Sequence, residues 1–236
     1  MSETHLTLNQ VLRKASNEEL QELLEFLRKQ WNSSVTKRDI KVNDANRNAR
    51  IRLIEKEIRE YGGNTFVGIF RSPDSLVDYD EIVRDVAKKF SVETENQSIP
   101  EIEARIFGKI MEKALEKMSE EDRNKFYREM EKIDIEVPSN MNTEGIIVFL
   151  LGVLLGGGLA SYQLILILLE PIWWYILGRG LIVSTGVIMG TRLASLLLGP
   201  VGAVFTLIWL GLDLAGPAYR VTIPCVLYIA MLRRKP

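Results

Sequence analysis

Residues 145–169 read GIIVFLLGVLLGGGLASYQLILILL, a stretch of 25 positions without one charged side chain. About twenty apolar residues in a helix are enough to cross the hydrocarbon core of a bilayer. A helix that is apolar on every side has to be covered either by lipid or by the rest of the protein. The residues upstream need their own apolar side chains for a core, so this stretch favours lipid as its cover.

The composition of the chain changes where this stretch begins. Of the 17 glycines, 13 lie from Gly145 onward, and this segment holds two acids against six bases. Because the whole chain has a net charge of -1, the upstream part is acidic. It begins MSETHLTLNQ, which lacks the basic and apolar segments of a secretory signal. We therefore predict a cytoplasmic acidic helical domain (1–136), a linker (137–144) and a hydrophobic, membrane-associated helical region with a basic C-terminus (145–236).

Helix signals predict an all-α fold. Ser16, Ser98 and Ser119 each precede an acidic residue three positions later, a spacing typical of helix N-termini. Further helices are predicted over residues 44–61, with glycines 62 and 63 as the end, and over residues 79–90. No run of residues alternates as a strand does. The expected architecture is a soluble N-terminal helical bundle joined to a glycine-rich hydrophobic helical region.

Two membrane crossings are predicted, over residues 146–169 and 193–212. A helical hairpin of residues 180–198 and 201–214, turning at Gly199 and Pro200, is an alternative to the second crossing. Another alternative is that the hydrophobic segments form a soluble core. Clustered bases near the C-terminus favour the cytoplasmic side for that end of the chain.

Two kinds of candidate site follow from the hydrophobic region. Glycines four positions apart let helix backbones approach closely in lipid, within one chain or between copies. These candidates are Gly152, Gly156, Gly186 and Gly190. Aromatic and basic side chains suit the headgroup layer of a membrane. The predicted membrane-interface residues are Trp173, Trp174, Tyr175, Arg233, Arg234 and Lys235.

Signatures of enzymes are absent from the sequence. The single histidine, His5, and the single cysteine, Cys225, do not supply the parts of a catalytic triad or a cysteine–histidine metal site. No phosphate-binding or dinucleotide-binding glycine motif occurs. The acidic upstream part argues against nucleic acid as a partner. We therefore predict a protein without enzymatic activity, cofactor, metal or nucleic-acid partner.

Three segments carry a family resemblance: residues 61–66 (YGGNTF), residues 79–89 (YDEIVRDVAKK) and residues 216–234 (GPAYRVTIPCVLYIAMLRR). In these segments the chain resembles the YaaW family of uncharacterised bacterial proteins, some of which carry a label of ubiquinol–cytochrome c chaperone-like. The motif residues are Tyr61, Gly62, Gly63, Asn64, Pro217, Tyr219, Arg220 and Pro224. The resemblance implies a bacterial protein and brings no catalytic residues with it. Relatives with a more polar segment after position 145 suggest an amphitropic bundle, whose hydrophobic helices are stored under a soluble coat.

The function that these features favour is a non-enzymatic protein of the bacterial inner membrane, with its N-terminal domain and its C-terminus in the cytoplasm. It perturbs the bilayer or forms a pore under the control of the cytoplasmic domain, and it forms homo-oligomers through the glycine faces. One alternative is a membrane-anchored assembly factor, chaperone or scaffold that binds a protein client. A second alternative is a soluble interaction protein that buries its hydrophobic helices.

Overall fold

The computed structural model describes residues 6–30, 46–65, 76–138, 140–181, 200–213 and 218–236, and all regular structure in these ranges is helical. The all-α fold class is therefore confirmed for the described residues. In chain order the helices are α1 (Leu8–Lys14), α2 (Asn17–Gln30), α3 (Arg47–Thr65), α4 (Tyr79–Lys89), α5 (Ile99–Lys117), α6 (Glu120–Glu131), α7 (Thr143–Gly156), α8 (Gly158–Leu177), α9 (Pro200–Asp213) and α10 (Tyr219–Arg233).

The predicted helix starts at the three serines are confirmed. The Glu19 amide donates to Ser16 Oγ at 3.1 Å, and the Ser16 amide donates back to the Glu19 carboxylate at 2.7 Å. Ser98 caps α5 with the same reciprocal pattern, and the Ser119 side chain accepts from an amide in the first turn of α6. Each such cap satisfies amides that have no partner within the helix and stabilises it by roughly 1 kcal/mol.

The predicted end of a helix at Gly62 is wrong, because α3 continues through both glycines to Thr65. The reason is packing. A Cβ added to Gly62 would lie 2.4 Å from Ile82 Cγ1, so α4 approaches α3 more closely than any side chain at this position allows. Here glycine permits contact between two helices and does not mark a boundary.

The charge-free stretch of residues 145–169 is two helices. α7 ends at Gly156 and α8 begins at Gly158, and the intervening Gly157 and Gly158 have φ angles of 72° and 76°. These left-handed angles are accessible to glycine and break the helix. Residues 146–169 therefore do not form the one continuous helix that a single crossing over this range needs, and the crossing of a membrane stays a prediction.

α8 is the one helix among the described residues that is long and apolar enough to cross a membrane. Of the 18 most apolar consecutive residues of α8, 78% are buried inside the protein. A buried core helix has the same length and composition, so α8 fits that description equally well. The predicted second crossing lies partly outside the described residues. What is described there is α9, which begins at Pro200, close to the second helix of the predicted hairpin.

α10 lies at the centre of the fold. Its residues from Val221 to Arg233 are all buried. It packs against α1 to α5 and against α8 and α9. The helices before and after the predicted linker 137–144 thus share one hydrophobic core. A helix that is apolar on every side must be covered by protein or by lipid, and the surface of α10 is covered by the other helices of the protein.

Candidate functional site

Among the described residues, four glutamates on the N-terminal helices are buried, and three of them bind cations from the C-terminal part of the chain. Glu19 and Glu22 on α2 and Glu103 on α5 have 0%, 2% and 0% of their surface exposed. Burial of an ionised carboxylate is costly unless cations and hydrogen bonds satisfy it. Each of the three carboxylates receives such partners from the C-terminal part of the chain. We call the group the polar seam, and its members are Glu19, Glu22, Glu103, Arg179, Arg233, Arg234 and Lys235.

Glu103 binds two arginines. Arg233 donates from Nε and Nη2 to both carboxylate oxygens, at 3.0 and 3.1 Å, in the paired geometry that guanidinium and carboxylate groups favour. Arg234 Nη1 lies 3.4 Å from the same carboxylate, and the Tyr79 hydroxyl donates to it at 2.9 Å. Burial and the Glu103 charge raise the pKa of Tyr79 well above its usual value, so this hydroxyl stays a donor.

Arg234 also binds three backbone carbonyls. Its guanidinium donates to Leu154 in the last turn of α7 at 3.1 Å, to Pro100 in the first turn of α5 at 2.8 Å, and to Ala230 of its own helix at 3.0 Å. Carbonyls in the last turn of a helix have no intrahelical partner and favour cations nearby. Arg234 therefore fastens the ends of three helices to one another.

Glu19 connects α2 to α8 and to the residues after α10. Lys235 Nζ donates to its carboxylate at 2.8 Å and the Tyr162 hydroxyl donates at 3.3 Å. The Tyr228 hydroxyl donates to the Glu19 carbonyl at 2.9 Å. One residue of the N-terminal part thus binds three groups from the hydrophobic part.

Glu22 binds the end of α8 and the residues after it. The indole nitrogen of Trp173 donates to its carboxylate at 3.2 Å, and Arg179 lies 2.8 Å away. Arg179 also pairs with Glu25 at 2.5 Å. Burial lowers the pKa of Arg179, but its bonds to the two carboxylates outweigh burial and raise that pKa overall.

Glu170, the one charged residue of α8, is buried close to the polar seam. Its carboxylate accepts a hydrogen bond from the Leu181 amide at 3.1 Å. Burial raises the pKa of Glu170 to about 7 against the opposing effect of this bond, and the nearby Glu22 adds to the rise. The group therefore changes charge in the neutral range of pH.

The predicted membrane-interface residues divide into two sets. Trp174 and Tyr175 are each 48% exposed, whereas Trp173 is fully buried. Its ring stacks between Phe26, at a centroid distance of 4.8 Å, and Tyr228, at 5.3 Å. Among the three basic candidates, Arg233 and Arg234 are also buried, and Lys235 binds Glu19. In this folded state, Trp173 and the two arginines do not reach a headgroup layer, because they bind partners inside the protein.

One side of α7 is apolar and exposed. Val148 is 64% exposed, Leu155 50%, and Leu159, at the start of α8, 43%. Between them lie Gly152 and Gly156, where an added Cβ would meet no atom within 4 Å. The spacing of Val148, Gly152, Leu155 and Gly156 places them on one face of α7, and Leu159 follows the break at the start of α8. We call Val148, Gly152, Leu155, Gly156 and Leu159 the apolar face.

The opposite side of α7 faces the protein. Ile146, Leu150 and Leu154 are buried there, and α7 packs mainly against α5. A Cβ on Gly108 of α5 would lie 3.0 Å from Leu151, which shows how closely the two helices approach. The predicted glycine packing at Gly152 and Gly156 therefore does not occur among the residues that the structure describes, and packing between copies stays a prediction. Residues 186 and 190 lie outside the described residues.

The family-motif residues lie where α3, α4 and α10 meet. Gly62 and Gly63 face Ile82 and Val77, and Pro224 is buried within α10. Tyr61 is half-buried, and Asn64 lies in the last turn of α3. The Tyr219 ring has Lys89 Nζ at 5.3 Å from its centroid. Burial and the neighbouring Asp85 raise the pKa of Tyr219 to about 12. Arg220 lies in the first turn of α10, and residue 217 lies outside the described residues.

Sequence reasoning missed the buried glutamates. The signal was present for Glu103, which shares its helix face with Ile99, Ile102 and Ile106 in a pattern that otherwise predicts burial. A charged residue on an apolar helix face needs a partner of opposite charge. The bases at positions 233–235 are residues of that kind. Among the described residues, no group of three or more potential ligands could hold a metal ion.

No protein-family model and no solved structure matches this chain. Curated relatives do match. A UPF0174 protein of Helicobacter pylori strain J99 is 36% identical over 184 residues, which cover 77% of this chain and 70% of the relative. A second UPF0174 protein of that strain is 32% identical and is covered to 88%. UPF0174 protein YaaW of Escherichia coli K12 is 33% identical over 187 residues, covering 77% of this chain and 70% of the relative.

Proposed function

The chain belongs to the UPF0174 family, which includes YaaW, and we propose that it is a non-enzymatic amphitropic protein that binds and perturbs lipid bilayers. The resemblance found in the sequence is thereby confirmed, but the names of the relatives assign no activity. The proposal rests on one observation, the exposed apolar face of α7.

The apolar face has the size expected of a weak, reversible membrane contact. Complete burial of a valine or leucine side chain stabilises by about 1.5–3 kcal/mol. Val148, Leu155 and Leu159 are roughly half-exposed, so their transfer into lipid contributes about 3 kcal/mol in total. This value is less than the roughly 4 kcal/mol of a millimolar complex, so the apolar face alone binds lipid weakly and reversibly, and binding is measured with lipid at millimolar concentration or above.

Lipid fits this face better than a protein client does. Protein interfaces usually surround their apolar centre with a polar rim and carry about one hydrogen bond per 100–200 Å². From Gly145 to Leu169 the chain offers no charged side chain to form such a rim. The glycines at positions 152 and 156 additionally allow two copies to pack closely once both lie in lipid.

We place the protein at the cytoplasmic face of the bacterial inner membrane, with the N-terminal helices and the C-terminus on the cytoplasmic side. In this arrangement the acidic helices α2 and α6 stay in water and α7 enters the interface. α8 and α10 remain in the core while the apolar face makes the first contact. This placement involves neither nucleic acid nor a cofactor.

Liposome flotation and dye release test the proposal. Val148→Glu together with Leu155→Glu puts two charges on the apolar face without disturbing the buried side of α7. A matched control, Lys117→Gln with Asn124→Glu, makes the same change in net charge on exposed positions of α5 and α6. We expect the wild type and the control to float with liposomes and release dye, and the α7 variant to bind at least tenfold more weakly.

Two outcomes contradict the proposal. Liposomes that stay sealed when the wild type is fully bound exclude membrane perturbation. Equal flotation of the wild type and the α7 variant excludes the apolar face as the contact. If liposomes do not bind at all but the α7 variant loses a protein partner, the client-binding alternative replaces the proposal.

A further inference from the structure

Three consecutive cations lie at the end of the buried helix α10, with Arg233 as its last residue, and bind separate parts of the N-terminal helices. Arg233 and Arg234 bind Glu103 on α5, and Lys235 binds Glu19 on α2. Arg233 also donates to the Leu6 carbonyl at 2.6 Å. Because the three are neighbours in sequence, one displacement of this segment breaks all of these bonds together.

The same segment holds the end of the helix that carries the apolar face. Arg234 donates to the Leu154 carbonyl at 3.1 Å, and the Ser161 hydroxyl donates to that same oxygen at 2.7 Å. The next residue, Leu155, belongs to the apolar face, and the helix breaks two positions later at Gly157 and Gly158. α7 is therefore held at its C-terminal end, next to the helix break, by the guanidinium group of Arg234.

We propose that residues 233–235 form an autoinhibitory clasp that holds α7 against the N-terminal helices and limits how far the apolar face can enter a bilayer. The inference rests on the proposed function and names the regulation of the same surface. Releasing the clasp frees α7 to pivot at Gly157 and Gly158, and the apolar residues beneath it then become available to lipid.

The chemistry of the clasp suits a switch better than a simple stabilising contact. A buried ion pair is often no more stabilising than apolar residues of similar volume, yet losing one partner is costly. Apolar packing alone would hold α10, since its residues from Val221 to Leu232 are buried. The charges instead define one closed arrangement of α5, α7 and α10, which opens when the charges are separated.

Arg234→Gln is the most specific test. It removes the bonds to Leu154 and Pro100 while Glu103 keeps Arg233 as a partner, so no carboxylate is left uncompensated. Lys132→Gln is the matched control, because it removes one positive charge from an exposed pair with Glu129. Lys235→Gln provides a second variant, since this side chain is 16% exposed, it does not contact α7 in any hydrogen bond or ion pair described above, and glutamine can still donate a hydrogen bond to Glu19.

Hydrogen exchange and liposome flotation are measured on the same full-length proteins. We expect Arg234→Gln to keep its helical circular dichroism, to exchange the amides of α7 at least tenfold faster and to bind liposomes at least threefold more tightly. Lys235→Gln changes both quantities in the same direction by less, and Lys132→Gln changes neither. If Arg234→Gln does not fold, the same two measurements on Lys235→Gln alone test the clasp.

The outcomes separate the clasp from the proposed function. Unchanged exchange in α7 for the folded variants overturns the clasp, even if the wild type binds liposomes as proposed. Faster exchange with a measurable but unchanged liposome affinity shows that the contact does not inhibit and also overturns it. Faster exchange in a protein that never binds liposomes supports the clasp as a restraint on α7 and contradicts the proposed function instead.

Discussion

Replacing Glu170 with glutamine should make the stability of the protein less dependent on pH. The Glu170 side chain is 7% exposed, and its burial raises the pKa from 4.5 to about 7. Between these two values the folded protein keeps a proton that the unfolded chain loses. The contribution of this group to the free energy of unfolding therefore falls as the pH rises from about 4.5 to about 7, and stays low above that range.

The size of the effect follows from the two pKa values. They are 4.5 and about 7, and a difference of one pH unit corresponds to about 1.4 kcal/mol, so ionised Glu170 costs ~3 kcal/mol at pH 8. Glutamine has nearly the same shape and keeps a carbonyl oxygen for the Leu181 amide. Glu170→Gln should thus remove the cost of burying the charge while retaining the hydrogen bond.

Urea unfolding at pH values from 5 to 8 measures the effect. We expect Glu170→Gln to differ little from the wild type near pH 5 and to be more stable by about 3 kcal/mol at pH 8. Glu116→Gln, at an exposed position of α5, is the control and should follow the wild type throughout. A Glu170→Gln variant that is less stable than the wild type at pH 8, or equally stable at every pH, refutes the reasoning.

Three further substitutions test the packing of the core by urea unfolding. Glu103→Gln leaves two buried guanidinium groups without their carboxylate and should destabilise by about 3–5 kcal/mol; a loss below 1 kcal/mol would show that the pair is solvated. Gly62→Ala should destabilise by about 1–2 kcal/mol despite the better helix propensity of alanine. The loss should shrink when Ile82 is alanine, which lacks both the Cγ1 and the Cδ1 atoms that lie 2.4 and 2.5 Å from the added Cβ; a stabilised Gly62→Ala contradicts the close approach. Trp173→Phe removes the donor to Glu22 and should cost about 1–3 kcal/mol; no change would mean that this bond contributes nothing.

Local signals in the sequence predicted local structure well. The caps at Ser16, Ser98 and Ser119 depend on residues within one turn, and the structure confirms them. The structural role of a glycine is harder to predict than a helix cap, because it depends on residues that are distant in the sequence. At Gly62 it permits contact with α4 and the helix continues, whereas at Gly157 a positive φ angle ends a helix.

The polar seam could not be predicted from short-range patterns. Glu103 and Arg233 are 130 positions apart, and either residue alone resembles a solvated charge. Their pairing depends on α10 entering the centre of the fold. For the same reason the basic segment at positions 233–235 was assigned to a membrane interface: a run of bases after an apolar helix is typical of that location. In the structure the acidic partners lie within the protein.

The contact of α7 with lipid can be observed directly with a fluorophore. Cys225 is fully buried, so a cysteine placed at position 155 can be labelled selectively in the folded protein with an environment-sensitive dye. A second protein with Asn124→Cys carries the same dye at an exposed position of α6, outside the apolar face. The account predicts a blue shift and brighter emission on adding liposomes to the Leu155→Cys protein, and no change for Asn124→Cys. An equal response from both sites, or none from position 155 while the protein is bound, contradicts it.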